Sequence, residues 1–136
     1  MKFHSVGENH LYVKAYKNGI KTVCRDVVVY IMKDKHASLL MKAHPKKEKV
    51  NRIGITVTKK IGGAVVRTRA RRVIREAYRL TEKEYDVKKG YIIIFVARNS
   101  VTNAKSSDVK EQLTNALTSR GLIARSTPEK RDGQQQ

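Results

Sequence analysis

The sequence predicts one α+β domain in the order α-β-β-β-α-β-α, a mixed sheet sandwiched with helices. Three observations predict it. Residues 27–32 (VVVYIM) and 91–97 (YIIIFVA) are runs of β-branched and aromatic residues with the composition of buried strands. Residues 52–60 alternate, with Ile53, Ile55 and Val57 on one side and Arg52, Gly54, Thr56 and Thr58 on the other, so one side of that strand can be solvated. Residues 66–80 repeat apolar side chains at a helical period, and shorter helical patterns lie near each end of the chain.

Taken in order, residues 9–17 are helical, with Leu11, Tyr12, Ala15 and Tyr16 on one face. Asn9 is placed to cap the start and Gly19 to supply a left-handed exit. A short extended piece at 22–24 precedes the first long strand. Residues 34–50 are ambiguous: 37–41 fit either a strand or a helical turn, and 44–49 form a lysine-rich loop with a proline. Gly62 and Gly63 turn the alternating strand into the main helix. Its apolar stripe is Val66, Ala70, Val73, Ala77 and Leu80, flanked by Ile74. The charged run 81–89, including Glu82, Glu84 and Asp86, is expected to leave the helix as a solvated loop. After the 91–97 strand, Ser107 or Asp108 caps a last helix, with Glu111 completing a capping box from Asp108. Val109, Leu113, Ala116 and Leu117 form its buried face and Gly121 ends it. The domain is assigned to residues 1–125. The tail 126–136 has no apolar residue to bury and is expected to be disordered.

Charge identifies the partner class. Thirty Lys and Arg against twelve Asp and Glu give +18 on 136 residues, a self-repulsion that a polyanion would relieve. The density peaks between Lys59 and Arg79, where Lys59, Lys60, Arg67, Arg69, Arg71, Arg72, Arg75 and Arg79 meet a single acid, Glu76. On a helix, Arg67, Arg71, Arg75 and Arg79 form a row beside the apolar stripe, with Arg69 and Arg72 on its far side. Guanidinium forks bind phosphate oxygens bidentately and stack on bases. A solvated helix face usually alternates in sign, and this one does not. No apolar stretch approaches the ~18 residues of a membrane span, and a stripe of Val, Ala and Ile without Trp or Phe suits a sheet better than lipid. The one cysteine, Cys24, rules out an internal disulfide and fits a reducing, cytoplasmic setting.

No catalytic or metal-binding set emerges. The histidines (His4, His10, His36, His44) are scattered, and none has metal-ligand spacing with Cys24. The Gly62–Gly63 pair lacks the Gly-Lys-Ser/Thr end of a P-loop. The polypeptide is therefore read as non-catalytic. Tyr12 and Tyr16, four apart on the first helix, and Tyr30 on the first long strand fit two roles equally well. They are either amphipathic core residues or a platform for unstacked bases.

These residues also carry a resemblance. The stretch RIGITVTKKIGGAVVRTRARRVIREAYR, residues 52–79, resembles the core of the protein subunit of bacterial ribonuclease P, collinearly across strand, turn and helix. Residues 10–19 resemble that family's first helix, with two aromatics before a glycine. Residues 27–30 resemble its strand ending in tyrosine, and 92–98 its late strand ending in Ala-Arg, so the likeness covers about residues 8–122. Three features depart from the pattern. Thr68 stands for the central asparagine of an Arg-Asn-Arg run, Gly63 stands where Asn or His is usual, and 34–50 exceeds the usual hairpin loop.

The resemblance implies a left-handed crossover through the arginine helix, although about 98% of such crossovers are right-handed. It implies a ribonucleoprotein whose RNA, with Mg²⁺, cleaves precursor tRNA to mature its 5′ end, with no catalytic or metal-binding residue on the protein. Its implied partners are the catalytic RNA and precursor tRNA, with no membrane and no obligate protein partner. Lys59, Lys60, Arg67, Thr68, Arg69, Arg71, Arg72 and Arg75 would contact the catalytic RNA. Tyr12, Tyr16, Val28, Tyr30 and, more weakly, Thr56 on the neighbouring strand would line the cleft for the 5′ leader. The competing reading is a ribosomal or other structured-RNA module. A DNA-binding protein ranks last, because no helix precedes the arginine helix at helix-turn-helix spacing.

Overall fold

The computed structural model describes residues 4–7, 9–43 and 50–123. The expected loop at 44–49 and the expected disordered tail at 126–136 lie outside the described residues. The elements are β1 (His4–Ser5), α1 (Asn9–Asn18), β2 (Ile20–Val23), β3 (Val27–Lys33), α2 (Ala37–Ala43), β4 (Arg52–Thr56), α3 (Ala64–Glu84), β5 (Tyr91–Ala97) and α4 (Ser106–Ser119). Short 3₁₀ turns at Lys59–Ile61 and Asn99–Asn103 lead into α3 and α4. The seven expected elements are all present. A two-residue strand and a helix in the ambiguous 34–50 segment are added to them.

The sheet order is β1-β4-β5-β3-β2. β4 runs parallel to β1 and β5, while β3 runs antiparallel to β5 and β2. β5 lies at the centre, and its run of β-branched residues follows from burial on both faces. On one face, Val27, Val29, Ile31, Ile53, Ile93 and Phe95 pack against α3 and α4, and all four predicted α4 residues (Val109, Leu113, Ala116, Leu117) are buried there. On the other face, Ile92 and Ile94 pack under Leu11 and Ala15 of α1, with Tyr12, Tyr30, Met32 and Val96 at the margin.

Several local expectations need correction. The polar side of β4 is not solvated, because Arg52 is buried on Asp34 and Gly54 lies under Tyr12. Arg52 donates from Nε (2.7 Å) and Nη2 (2.8 Å) to the two oxygens of Asp34, which has no exposed side-chain surface. Burial alone would raise the Asp34 pKa, but the hydrogen bonds from Arg52 and the His36 N–H, with the Arg52 charge, hold it below the usual carboxylate value.

Helix α3 does not end at Leu80. Thr81 is buried, Glu82 accepts from Tyr78 (2.9 Å) and Lys89 (2.9 Å), and Glu84 pairs with Lys110 of α4. These partners hold an acidic run that would otherwise be solvated. The stripe is also rotated: Ile74 and Tyr78 lie at its centre, whereas Val66 is 37% exposed and Leu80 only half-buried.

Gly19 is not left-handed. A Cβ there would stand 2.6 Å from the Ala15 carbonyl oxygen, so close approach and not φ requires the glycine. At α4 the cap is Lys105, whose N–H donates to Asp108 (3.0 Å), so Asp108 closes the first turn from inside the helix. Gly121 ends α4 at φ 82°, as its sequence position predicts.

Candidate nucleic-acid interface

Two surfaces hold the predicted binding residues, on opposite sides of the sheet. The first is the outer face of α3 with the turn before it. Lys59, Lys60, Thr68, Arg69, Arg72 and Arg75 are exposed there, and Arg67 and Arg71 are half-buried. Arg79 leaves the row, since its fork is spent on Glu76 at 2.9 and 2.6 Å. That pair neutralises the helix's one acid in this stretch, so the rest of the row keeps its field. Arg67 Nε is buried without a hydrogen-bond partner among the described residues. Arg69 behaves differently from its neighbours. Its two terminal nitrogens donate to the carbonyls of Thr102 and Ala104, both at 3.1 Å, tying α3 to the turn before α4.

The second surface is the cleft beside α1. Strand pairing sets its floor: Val28 lies opposite Val96, and Val96 opposite Thr56. Thr56 is therefore not on the strand next to Val28, because β5 intervenes. Val96 is the residue that sequence reading missed, although period-two alternation through Ile92 and Ile94 places it on this face. One row along, Tyr30, Ile94 and Gly54 are aligned. Tyr12 lies over Gly54, where a Cβ would come within 2.7 Å of the phenol oxygen. Burial, with Tyr16 adding, pushes the Tyr12 pKa up.

Tyr16 spans the floor. Its hydroxyl bonds Thr56 Oγ1 at 2.9 Å, and its ring meets Tyr30 edge-on with centroids 5.0 Å apart. The Tyr12 and Tyr16 centroids are 6.4 Å apart. Tyr16 is 40% exposed, and Tyr12, Val28, Tyr30 and Thr56 are half-buried. All five predicted cleft residues thus come together, with three rings held by one another at one margin of an apolar floor. Such a surface fits flat, apolar faces such as bases. Gly54→Ala is expected to push the Tyr12 ring off β4. It should weaken single-strand binding at the cleft while leaving binding to the α3 surface intact, as titrations with an unpaired and a structured RNA would check.

Among the described residues, no group of three or more His, Cys, Asp or Glu side chains could hold a metal ion. No helix among them is long and apolar enough to cross a membrane. Cys24 is free and its thiol, half-buried, is pushed up in pKa by burial, which suits packing better than reactivity.

The chain resembles known proteins over most of its length. A family model described as Ribonuclease P matches residues 1–120. The ribonuclease P protein component of Clostridium botulinum is 34% identical over 122 residues, covering 90% of this chain and 98% of the relative. That of Clostridioides difficile is 38% identical over 104 residues, covering 76% and 80%. Among solved structures, the Staphylococcus aureus RNase P protein superposes with a TM-score of 0.68 at 24% identity, over 90% of this chain and 99% of the other. The Thermotoga maritima RNase P protein gives 0.66 at 22% identity, over 85% and 96%. At these identities the superpositions establish the α+β fold.

Proposed function

The chain belongs to the ribonuclease P protein family, and from that membership we propose a division of labour between its two surfaces. It is the protein component of ribonuclease P, an endoribonuclease holoenzyme, which implies tRNA 5′-end maturation. In our reading, Lys59, Lys60, Arg67, Thr68, Arg69, Arg71, Arg72 and Arg75 contact the catalytic RNA, with the Arg69 guanidinium held in place by its two carbonyl acceptors. Tyr12, Tyr16, Val28, Tyr30 and Thr56, with Val96 beneath, hold the unpaired 5′ leader of precursor tRNA. The observation that carries this is the exposed, laterally braced Tyr16 ring over an apolar floor, on the sheet face opposite the arginine helix.

The bond-breaking step belongs in this reading to the RNA and its Mg²⁺. Among the described residues no cluster of three or more His, Cys, Asp or Glu side chains could hold that ion. The protein's contribution is positional. It screens phosphate repulsion so that the RNA needs less Mg²⁺, and it grips the one part of the precursor that the product lacks. We further read the β4–α3–β5 connection as left-handed, on the strength of the family likeness. Residues 1–125 act as one RNA-binding unit in the cytoplasm.

Tyr16→Leu tests the cleft. It keeps most of the apolar volume and removes the aromatic face and the hydroxyl. Holoenzyme affinity for precursor tRNA is expected to fall by about 1 kcal/mol or somewhat more, the scale of one base–aromatic contact. Affinity for mature tRNA and assembly with the catalytic RNA should hardly change. Equal losses for precursor and mature tRNA would reduce the tyrosines to packing residues.

A further inference from the structure

We propose that the cavity at the N-terminal end of α3 seats one unstacked nucleobase of the catalytic RNA, an inference that rests on α3 being the RNA-facing helix. The cavity is an open depression of about 400 Å³, lined among the described residues by Ala64, Val65, Thr68, Arg69 and Arg72, all of α3. Val65 is 84% exposed, more than any other large apolar side chain among the described residues. Its position makes that exposure informative. It stands in the first turn of a helix that carries no acid there, on the most cationic surface of the chain. Helix capping does not call for valine in the first turn, where polar and acidic residues are favoured. Phosphate gains nothing from it. The part of a nucleic acid that does gain from an exposed apolar side chain is a base.

The walls agree. Two hydrogen bonds to Thr102 and Ala104 set the plane of the Arg69 guanidinium before any ligand arrives. A guanidinium so fixed is a poor mobile phosphate clamp and a good stacking surface. Thr68 and Arg72 bring a hydroxyl and a second guanidinium to the rim, where they can meet the hydrogen-bonding edge of the base and an adjacent phosphate. Among the described residues no acidic side chain lines the depression, so its charge complements a polyanion and disfavours a cationic peptide. Thr68, where the related family has asparagine, thereby acquires a role as a rim group.

The test is Val65→Ser in the full chain, titrated against the cognate ribonuclease P RNA over a salt series, with base-specific chemical probing of the complex. Because Val65 is exposed, the melting temperature of the free protein should be unchanged. Affinity is expected to drop by about five- to tenfold, the low end for one base contact, at every salt concentration. The salt slope should stay as in the parent protein, since no phosphate contact is lost. One unpaired nucleotide protected in the parent complex should become reactive. Parent-like affinity and an unaltered footprint would overturn the proposal. Arg75→Ala, outside the cavity, separates the two levels. If it weakens binding and flattens the salt slope while Val65→Ser is silent, only the base seat fails. If it too is silent, α3 is not the RNA face.

Discussion

Asp34→Ala is expected to destabilise the fold by about 3–5 kcal/mol, the cost of removing one partner of a buried ion pair. The substitution removes the carboxylate that takes two hydrogen bonds of the Arg52 guanidinium, which is 11% exposed and lies on the α1 face of the sheet. It also removes the acceptor of the His36 N–H at the entry to α2. Urea melts of the two proteins would measure the loss. The double variant Asp34→Ala/Arg52→Met is expected to recover much of it, since replacing both charges by apolar groups is often neutral. Without such recovery, the loss would lie in the β3–α2 connection and not in the charge pair.

The pH dependence has a definite sign. The folded-state pKa of Asp34 lies below its ordinary value of 3.8, so its stabilisation is complete above that value and is lost as pH falls through the folded pKa. Asp26 adds to the same acid limb. Burial opposes its ionisation, but hydrogen bonds from Ser100, Arg25 and Gln112 and the Arg25 charge hold its pKa down. Stability measured below pH 3.8 should therefore decline less steeply in Asp34→Ala than in the parent.

Replacing Arg71, Arg72 and Arg75 together by alanine is expected to have the largest effect on RNA binding. Each lost phosphate contact lowers the slope of log affinity against log salt by about 0.7–0.9, so three should flatten it by about two to three units. Two units at 0.1 M salt correspond to about a 100-fold loss of affinity. Arg72 and Arg75 are exposed and Arg71 half-buried. Removing three like charges from a chain of net charge +18 should leave the free protein at least as stable. Filter binding at four or five salt concentrations decides the matter. A parallel offset without a change of slope would mean that these arginines act by shape and not by charge.

Sequence legibility followed the range of the interactions involved. Strand β5 was readable residue for residue, because burial on both faces leaves its mark in consecutive side chains. So was the buried face of α4. The end of α3 was misjudged at Leu80 because Glu82 and Glu84 are anchored by Lys89 and Lys110, and period carries no trace of such partners. Arg52 looked solvent-facing by alternation, yet its carboxylate lies eighteen positions away in sequence. Within the cleft, periodicity singled out Tyr12, Tyr16 and Tyr30 without deciding between packing and binding, and the family resemblance supplied the cleft role with Val28 and Thr56. The strand order that inserts Val96 between Val28 and Thr56 is a tertiary fact. The carbonyl acceptors that fix the Arg69 side chain lie 33 and 35 residues away and leave no signature in local sequence.

The central position of β5 governs the order in which this protein comes into being. β5 hydrogen-bonds to both β3 and β4, which do not touch each other in the sheet. A ribosome that has released β3, β4 and the whole of α3 still holds back the sheet centre on which they dock. The arginine helix thus emerges before β5 and α4 are free to bury its apolar stripe. Isolated helices are marginal in water, and non-local pairing must await its last participant. Docking of the arginine helix on the sheet consequently waits for Tyr91–Ala97, the last strand of the sheet to be made.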